Sequence, residues 1–244
     1  MSNIQYGNKK IAFEIIRGSR KKTVAIYVNS PAGVIVRSPE WVGEEKIKKL
    51  IQKRAAWIVK RQELLKNQIP PATVKEFVSG ESFPFLGREY RLKVVKSTLE
   101  KEGRCELRNK KFQVEINLSL DSGEAGNTIK RALMDWYLTR AKEKIKARVA
   151  YFSRQIGRTP KSIAIKQQKM RWGSCSQSEG IRFNWKIIMA PLSVVDYVIV
   201  HELCHLIYPH HSSQFWQKVQ SILPDYKRRK EWLKRCSYSL DGLG

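Results

Sequence analysis

The chain has 244 residues, 42% of them hydrophobic and 28% charged, which allows a sizeable core and excludes a disordered or fibrous protein. Lys and Arg outnumber Asp and Glu by 47 to 22, and the net charge of +25 is consistent with a polyanionic partner, although basic helix faces can also serve solubility alone. No secretion signal or membrane span is expected, and four cysteines without a CxxC pair predict a cytoplasmic protein.

The first third of the chain has the pattern of a small sheet followed by a long helix. Three β-type segments predict an antiparallel sheet, with breaks at Gly18-Ser19 and Pro31-Ala32-Gly33. These segments are 11–16, 23–28 and 33–36. Apolar residues then recur at helical spacing from 44 to about 67, which predicts a helix that ends before Pro70-Pro71.

A second β-rich stretch precedes another long helix. Its four predicted strands are 77–85, 89–95, 104–107 and 112–118. The segment 121–127 contains two glycines and is the best candidate for an internal boundary, which divides the chain into a β-rich front half, 1–125, and a second half, 126–244. The second half begins with a predicted helix over 128–152.

Two predicted strands, 162–166 and 181–188, flank a polar loop at 171–176. Within the predicted helices of the chain, several tryptophans occupy apolar positions and are expected in the core. They are Trp57, Trp136, Trp216 and Trp232.

All four histidines of the chain fall between positions 201 and 211. Residues 194–208 are apolar on nearly every face, which predicts a helix buried on most sides. Ser193 and Asp196 are a reasonable capping pair for this helix, and Pro209 is expected to end it. Ionisable groups in such a helix are costly unless something pairs with them, and a divalent metal ion would do so.

The sequence His201-Glu202-Leu203-Cys204-His205 is an HExxH motif. Its two histidines are four residues apart, so their imidazoles project from one face of a helix and can bind one zinc ion. Glu202 would then act as general base on a zinc-bound water. A bare HExxH also arises by chance, but the buried frame and the further histidines strengthen the hypothesis of a metal site here.

A catalytic zinc ion needs a third protein ligand. His211 lies six positions after His205, the offset of the third histidine in the metzincin pattern HExxHxxGxxH, although Tyr208 replaces the glycine of that pattern. This offset favours His211, and His210 is the competing candidate. Cys204 is expected to be a core residue, and Cys175 is a weak candidate nucleophile because the sequence supplies it with no base.

Several motifs resemble those of the YgjP-like metallopeptidases, relatives of the SprT-like and wider zincin proteins. In the second half these are Met170-Arg171-Trp172-Gly173-Ser174-Cys175, Ile181-Arg182-Phe183-Asn184-Trp185, Ala190-Pro191-Leu192, the run from Asp196 to Leu206, and His211-Ser212 with Phe215-Trp216. In the front half they are Ser19-Arg20-Lys21-Lys22-Thr23-Val24, Gly33-Val34-Ile35-Val36 with Pro39, and Ala56-Trp57-Ile58.

The resemblance implies an α+β fold in which a mixed β/α front half precedes a zincin-like catalytic half that carries the HExxH helix. It also implies zinc bound by His201, His205 and His211, with Glu202 catalytic. One departure concerns His210, which stands where the family usually has Asn. The loop around Arg171 is similar throughout the family, and two roles are open for it: it shapes the cleft wall beside the zinc, or it packs the helix against the sheet. We favour packing, with Arg171 as the candidate exception.

Three hypotheses for function follow from these observations. The first is a zinc metallopeptidase that acts on a protein or peptide substrate. The second is a metal-dependent phosphohydrolase, in which the metal-bound water attacks a nucleotide phosphoanhydride and a basic cleft stabilises the charge of the phosphates. The third is a nucleic-acid-associated protease or binding module, which only the basic charge favours because no DNA-reading motif occurs. The sequence does not indicate an oligomeric state.

Overall fold

A computed structural model of the protein describes residues 2–18, 23–28, 33–68, 75–98, 103–168, 171–176 and 180–236. Over these residues, five α-helices combine with sheets of mixed strand direction, which confirms the α+β fold class. The predicted features at Ser19 to Lys22, Pro31-Ala32, Pro70-Pro71 and Met170 lie outside the described residues. A search of the described helices for one long and apolar enough to cross a bilayer finds none.

The chain forms two compact units, Met1–Thr73 and Val74–Gly244. The sequence predicts a boundary between residues 125 and 126. In the structure, the residues on both sides of this boundary lie in the second unit.

The first unit is a four-stranded sheet with one helix. Its elements are β1 (Ser2–Tyr6), β2 (Lys9–Gly18), β3 (Ala25–Val28), β4 (Val34–Pro39) and α1 (Glu44–Gln68). The strand order is β1-β2-β4-β3, and β2 runs parallel to β4 while the other pairs are antiparallel. The prediction of a purely antiparallel sheet was therefore wrong, because β4 lies between β2 and β3 and local alternation does not reveal that order. On α1, one face is buried, and its residues are Ile47, Ile51, Ala55 and Ile58.

The second unit contains two further sheets and four helices among its described residues. Its strands are β5 (Ser82–Phe85), β6 (Arg88–Ser97), β7 (Arg104–Arg108), β8 (Lys111–Asn117), β9 (Ile163–Lys166), β10 (Gly173–Ser176) and β11 (Gly180–Asn184). Its helices are α2 (Ser122–Ile156), α3 (Leu192–Cys204), α4 (Ser213–Ile222) and α5 (Tyr226–Cys236).

Helix α2 begins six residues earlier than the sequence predicts. Asp121 caps it, since its Oδ1 accepts a hydrogen bond from the Glu124 N–H at 2.8 Å and the Glu124 carboxylate accepts one from the Asp121 N–H at 3.4 Å. This capping box contributes about 1 kcal/mol and offsets much of the cost of Gly123 and Gly126 in a helix, about 1 kcal/mol each. The segment 121–127 is therefore the start of a helix rather than a loop.

The sheet of order β5-β6-β8-β7 packs on α2 through aromatic side chains. Phe112 of β8 meets Trp136 edge to face at 4.8 Å between ring centroids. The buried Tyr137 hydroxyl donates a hydrogen bond to the Pro84 carbonyl oxygen at 2.6 Å. This core supports the long helix against which the site-bearing elements pack.

The third sheet has the order β10-β11-β9, with β10 antiparallel and β9 parallel to β11. The prediction of a strand over 181–188 was wrong in its second half, where the chain forms a 3₁₀ helix, Trp185–Met189. Asn184 caps this helix, because its side chain accepts a hydrogen bond from the Lys186 N–H at 3.2 Å. The predicted loop at 171–176 also differs, since most of it is strand β10.

Helix α3 carries the HExxH motif and is buried over most of its length. The predicted capping pair was wrong, because no side chain caps α3. Asp196 instead forms a bidentate ion pair with Arg148 of α2, in which the guanidinium nitrogens lie 2.6 Å and 2.7 Å from the two carboxylate oxygens. The helix also ends at Cys204 rather than at Pro209, which leaves His205 as its C-cap residue.

Candidate metal centre

Three histidines converge at the C-terminal end of α3. One ring nitrogen from each of His201, His205 and His211 lies within 4.8 Å of those of the others, and the Nε2 atoms of His201 and His211 are 3.0 Å apart. His201 and His205 meet because they are one helical turn apart. We refer to these residues as the three-histidine cluster.

The turn after α3 brings His211 back toward the helix. The Tyr208 N–H donates to the Cys204 carbonyl oxygen at 2.9 Å, which closes one more turn before Pro209. Beyond it, Ser212 begins α4 by accepting a hydrogen bond from the Phe215 N–H at 3.3 Å. Tyr208 therefore forms this turn without the glycine of the metzincin pattern. His210, the competing third ligand, is exposed and is not part of the cluster.

The hydrogen bonding and charge of the cluster suit a divalent cation. Nδ1 of His205 lies 3.0 Å from the Tyr208 carbonyl oxygen, to which it can only donate, so Nε2 of His205 keeps its lone pair. Burial, followed by the charges of the neighbouring histidines and Lys230, lowers the pKa of His201 to about 3. A neutral imidazole is the form that binds a metal ion, and the donor set therefore fits one.

Aromatic rings hold the histidines in place. Phe215 stacks on His205 at 4.6 Å between centroids, and Trp216 stacks on His211 at 5.5 Å with an angle of 18° between the rings. Trp216 is itself stacked on Tyr226 and has the Lys230 ammonium 4.1 Å from its ring centroid. Trp216 thus contacts the site, a role that the sequence prediction of a core residue did not include.

Glu202 projects from α3 beside the cluster and is 6% exposed. Burial raises the pKa of its carboxyl group to about 7, and the charge of Arg171 acts in the opposite direction. A β-carbon built on Gly173 of β10 would lie 2.6 Å from both Cγ and Oε1 of Glu202. Only a residue without a side chain can lie this close to the carboxylate, and Gly173 thereby fixes the wall against which Glu202 rests.

The cluster opens into a cavity of about 720 Å³. Its lining combines Arg171 and strand β10 with the three-histidine cluster, Glu202 and Pro209. The favoured expectation that the 171–176 loop packs the helix was wrong for Gly173 to Ser176, which line this cavity, whereas Arg171, the candidate exception, lines it as well. One feature of the sequence could have indicated this role, namely the glycine within a run of polar residues.

The two cysteines near the site differ in their surroundings. Cys204 is fully buried, in line with the prediction of a core residue. Cys175 lines the cavity, and burial together with the charge of Glu202 raises the pKa of its thiol to about 11. A thiol with so high a pKa is a poor nucleophile at neutral pH, so carboxylate and metal chemistry suits the cavity better.

Comparison with known proteins bears on the identity of this centre. The sequence matches the YgjP-like metallopeptidase domain over residues 22–236. No curated protein matches it significantly. Among solved structures, that of the metallopeptidase zymogen of Pyrococcus abyssi abylysin is 25% identical, over 39% of this chain and 94% of that chain, with a TM-score of 0.36. A TM-score of 0.36 does not establish a shared fold. The family match, in contrast, spans most of the chain.

Proposed function

This chain belongs to the YgjP-like metallopeptidase family, and from that premise we propose that it hydrolyses peptide bonds with zinc held by the three-histidine cluster and Glu202 as general base. The convergence of three imidazole nitrogens within 4.8 Å, beside a buried carboxylate and an open cavity, carries the proposal. Three nitrogen ligands and one open position are typical of catalytic zinc.

When bound, zinc supplies Lewis-acid polarisation of a carbonyl oxygen and lowers the pKa of water. The chain's own residues contribute the proton transfers. Glu202 accepts a proton from the attacking water and then returns it to the leaving amine, which converts the amine into a neutral product. Gly173 leaves the space that the carboxylate occupies while it does so, because a β-carbon at this position would lie 2.6 Å from Cγ and Oε1 of Glu202.

Strand β10 favours a peptide as the substrate. In the described part of the third sheet β10 is an edge strand that pairs with β11, and its residues from Gly173 to Ser176 line the cavity. An edge strand offers backbone N–H and C=O groups to an added strand. A substrate in extended conformation would pair with β10, and its scissile carbonyl would pass over the three-histidine cluster.

The structure offers less support to the alternative of a nucleotide phosphohydrolase. Among the described residues that line the cavity, Arg171 is the one Lys or Arg side chain. Phosphoryl-transfer sites usually surround the phosphates with several cationic groups or metal ions. The positive charge of the chain is thus not concentrated where a phosphoanhydride would react.

Replacement of Glu202 by Gln tests the proposal. This variant should retain zinc near one ion per chain, measured by elemental analysis, and lose at least about a thousandfold in kcat for peptide cleavage, since the general base is gone. Glu231→Gln, at an exposed position on α5 outside the cavity lining, is the matched control and should keep full activity.

Peptide cleavage and phosphate release from nucleotides should be measured side by side on the same preparations. Peptide turnover that survives in Glu202→Gln would show that the mechanism is wrong. If the wild type instead releases phosphate from nucleotides without cleaving peptides, and Glu202→Gln loses this phosphate release, the proposed site would be correct but the proposed peptide substrate would be wrong.

A further inference from the structure

One face of α1, in the first unit, is exposed and carries a row of lysines interrupted by a tryptophan. The opposite face is buried in the core of that unit. The exposed row consists of Lys46, Lys49, Lys53, Trp57 and Lys60, spaced three or four residues apart. At about 100° and 1.5 Å per residue, these five side chains fall within about 80° of arc and extend over about 21 Å. We call this row the lysine–tryptophan stripe.

The tryptophans at the stripe are unusually exposed. Trp57 is 49% exposed, which contradicts the sequence prediction of a core residue, and Trp41 is 67% exposed. Trp41 lies at the N-terminal end of the stripe, where the Lys46 ammonium is 5.9 Å from its ring centroid. An aromatic side chain that is exposed to water does not gain the stabilisation that burial provides. Two exposed tryptophans beside lysines therefore indicate a surface that binds a partner.

The charges of the stripe are available to that partner. The acidic residues of α1 pair elsewhere: Glu44 and Glu45 with Lys48, which lies outside the stripe, and Glu63 with Lys9. Within the described residues, the four lysines of the stripe form no ion pair with an acidic side chain. The whole first unit has 15 Lys and Arg against 5 Asp and Glu. An anionic partner is therefore favoured.

We propose that the lysine–tryptophan stripe binds a single strand of nucleic acid, with lysines on the phosphates and Trp41 and Trp57 stacked on bases. A basic row with interleaved aromatic rings is the combination that single strands require, since each base has a face to stack and each nucleotide a charge. An anionic membrane would instead require an apolar helix face at the surface, and the apolar face of α1 is buried.

The charge of the stripe is tested by Lys49→Glu/Lys53→Glu in the full chain. Binding of a fluorescein-labelled oligothymidine of about 20 nucleotides, followed by anisotropy, should weaken at least about tenfold, and the slope of log affinity against log salt should fall by about 1.4 because two phosphate contacts are lost. The matched control is Lys142→Glu/Lys144→Glu, at exposed positions of α2, which changes the net charge equally. An equal loss in the control would overturn the proposal, because net charge alone would explain binding.

The stacking component is tested by Trp57→Ala and Trp57→Phe. The alanine variant should bind the oligonucleotide about fivefold more weakly or worse, with an unchanged salt slope, and phenylalanine should restore most of the loss. Because the side chain is half exposed, both variants should keep the wild-type circular dichroism spectrum. Tighter binding of a duplex of the same length, or of vesicles rich in phosphatidylserine, would refute a single strand as the partner, as would full affinity in Trp57→Ala.

Discussion

At the scale of single residues, the contact between Gly173 and Glu202 links two elements of the site. Strand β10 supplies the glycine and α3 the carboxylate, and no side chain lies between them. The position of the Glu202 carboxylate, the proposed general base, thus depends on a residue that contributes no functional group. This dependence is open to a direct test.

Gly173→Ala should impair catalysis while it leaves metal binding intact. The added methyl group would lie 2.6 Å from Cγ of Glu202, so the carboxylate must move, whereas the three histidines keep their positions. We expect kcat for peptide cleavage to fall about tenfold or more, which corresponds to about 1.4 kcal/mol of transition-state stabilisation. Gly43→Ala is the control, because nothing lies within 4 Å of its added carbon, and it should retain activity. Normal turnover in Gly173→Ala would show that Glu202 tolerates displacement.

The sequence indicated the histidines but not this glycine, for a physical reason. Two histidines four apart meet through helix geometry alone, and the offset of His211 follows a known pattern of chain reversal. The contact between Gly173 and Glu202 depends instead on how the third sheet packs on α3, which no local periodicity encodes. For Trp57 the prediction was wrong. We expected an apolar residue in a helix to face the core, but Trp57 lies on the exposed face of α1.

At the scale of elements, the ion pair between Arg148 and Asp196 joins α2 to α3. Both carboxylate oxygens of Asp196 accept hydrogen bonds, and the Arg148 guanidinium also lies over the rings of Tyr151 and Phe152 at 4.7 Å and 4.9 Å. The hydrogen bonds that Arg148 donates to Asp196 raise the pKa of the guanidinium. The helix that bears the HExxH motif is thereby fixed to the longest helix of the second unit.

Asp196→Ala should destabilise the protein by about 2–3 kcal/mol, because a hydrogen-bonded and largely buried charge pair loses one partner. Glu143→Ala breaks a second pair on α2, between Arg140 and an exposed carboxylate, and should change stability by less than about 1 kcal/mol. Urea unfolding of both variants, followed by circular dichroism, provides the comparison. Equal effects from the two substitutions would mean that burial adds nothing to the Asp196 pair.

Elements with strong local signals were predictable from the sequence, and elements set by packing were not. The long helix α1 follows the predicted periodicity almost to the residue. The start of α2 was missed because two glycines suggested a loop, while the capping box that partly offsets their cost involves only Asp121 and Glu124. The end of β11 was missed because an apolar run continues into the 3₁₀ helix, whose start is set by one hydrogen bond that the Lys186 N–H donates to the Asn184 side chain.

At the scale of the whole molecule, the two proposed sites belong to different compact units. The three-histidine cluster and its cavity belong to Val74–Gly244, whereas the lysine–tryptophan stripe belongs to Met1–Thr73. The net charge of +25 is consistent both with an anionic partner and with a role in solubility alone, and it does not assign the charge to one surface. The stripe lies on α1, and Arg171 is the one Lys or Arg side chain among the described residues that line the cavity beside the three-histidine cluster.

This division predicts that zinc stabilises only the unit that holds its ligands. A metal that binds the folded state alone adds about 2.7 kcal/mol of stability at a hundredfold excess over its Kd. In the full chain, backbone amides of α3 and α4 should therefore exchange more slowly with deuterium when zinc is added to metal-free protein, while those of α1 should be unchanged. His211→Ala should remove most of the difference at α3, because the cluster loses one of its three donors. Slower exchange in α1 to the same extent would mean that the two units unfold as one, whereas no change in either unit would count against zinc at the cluster.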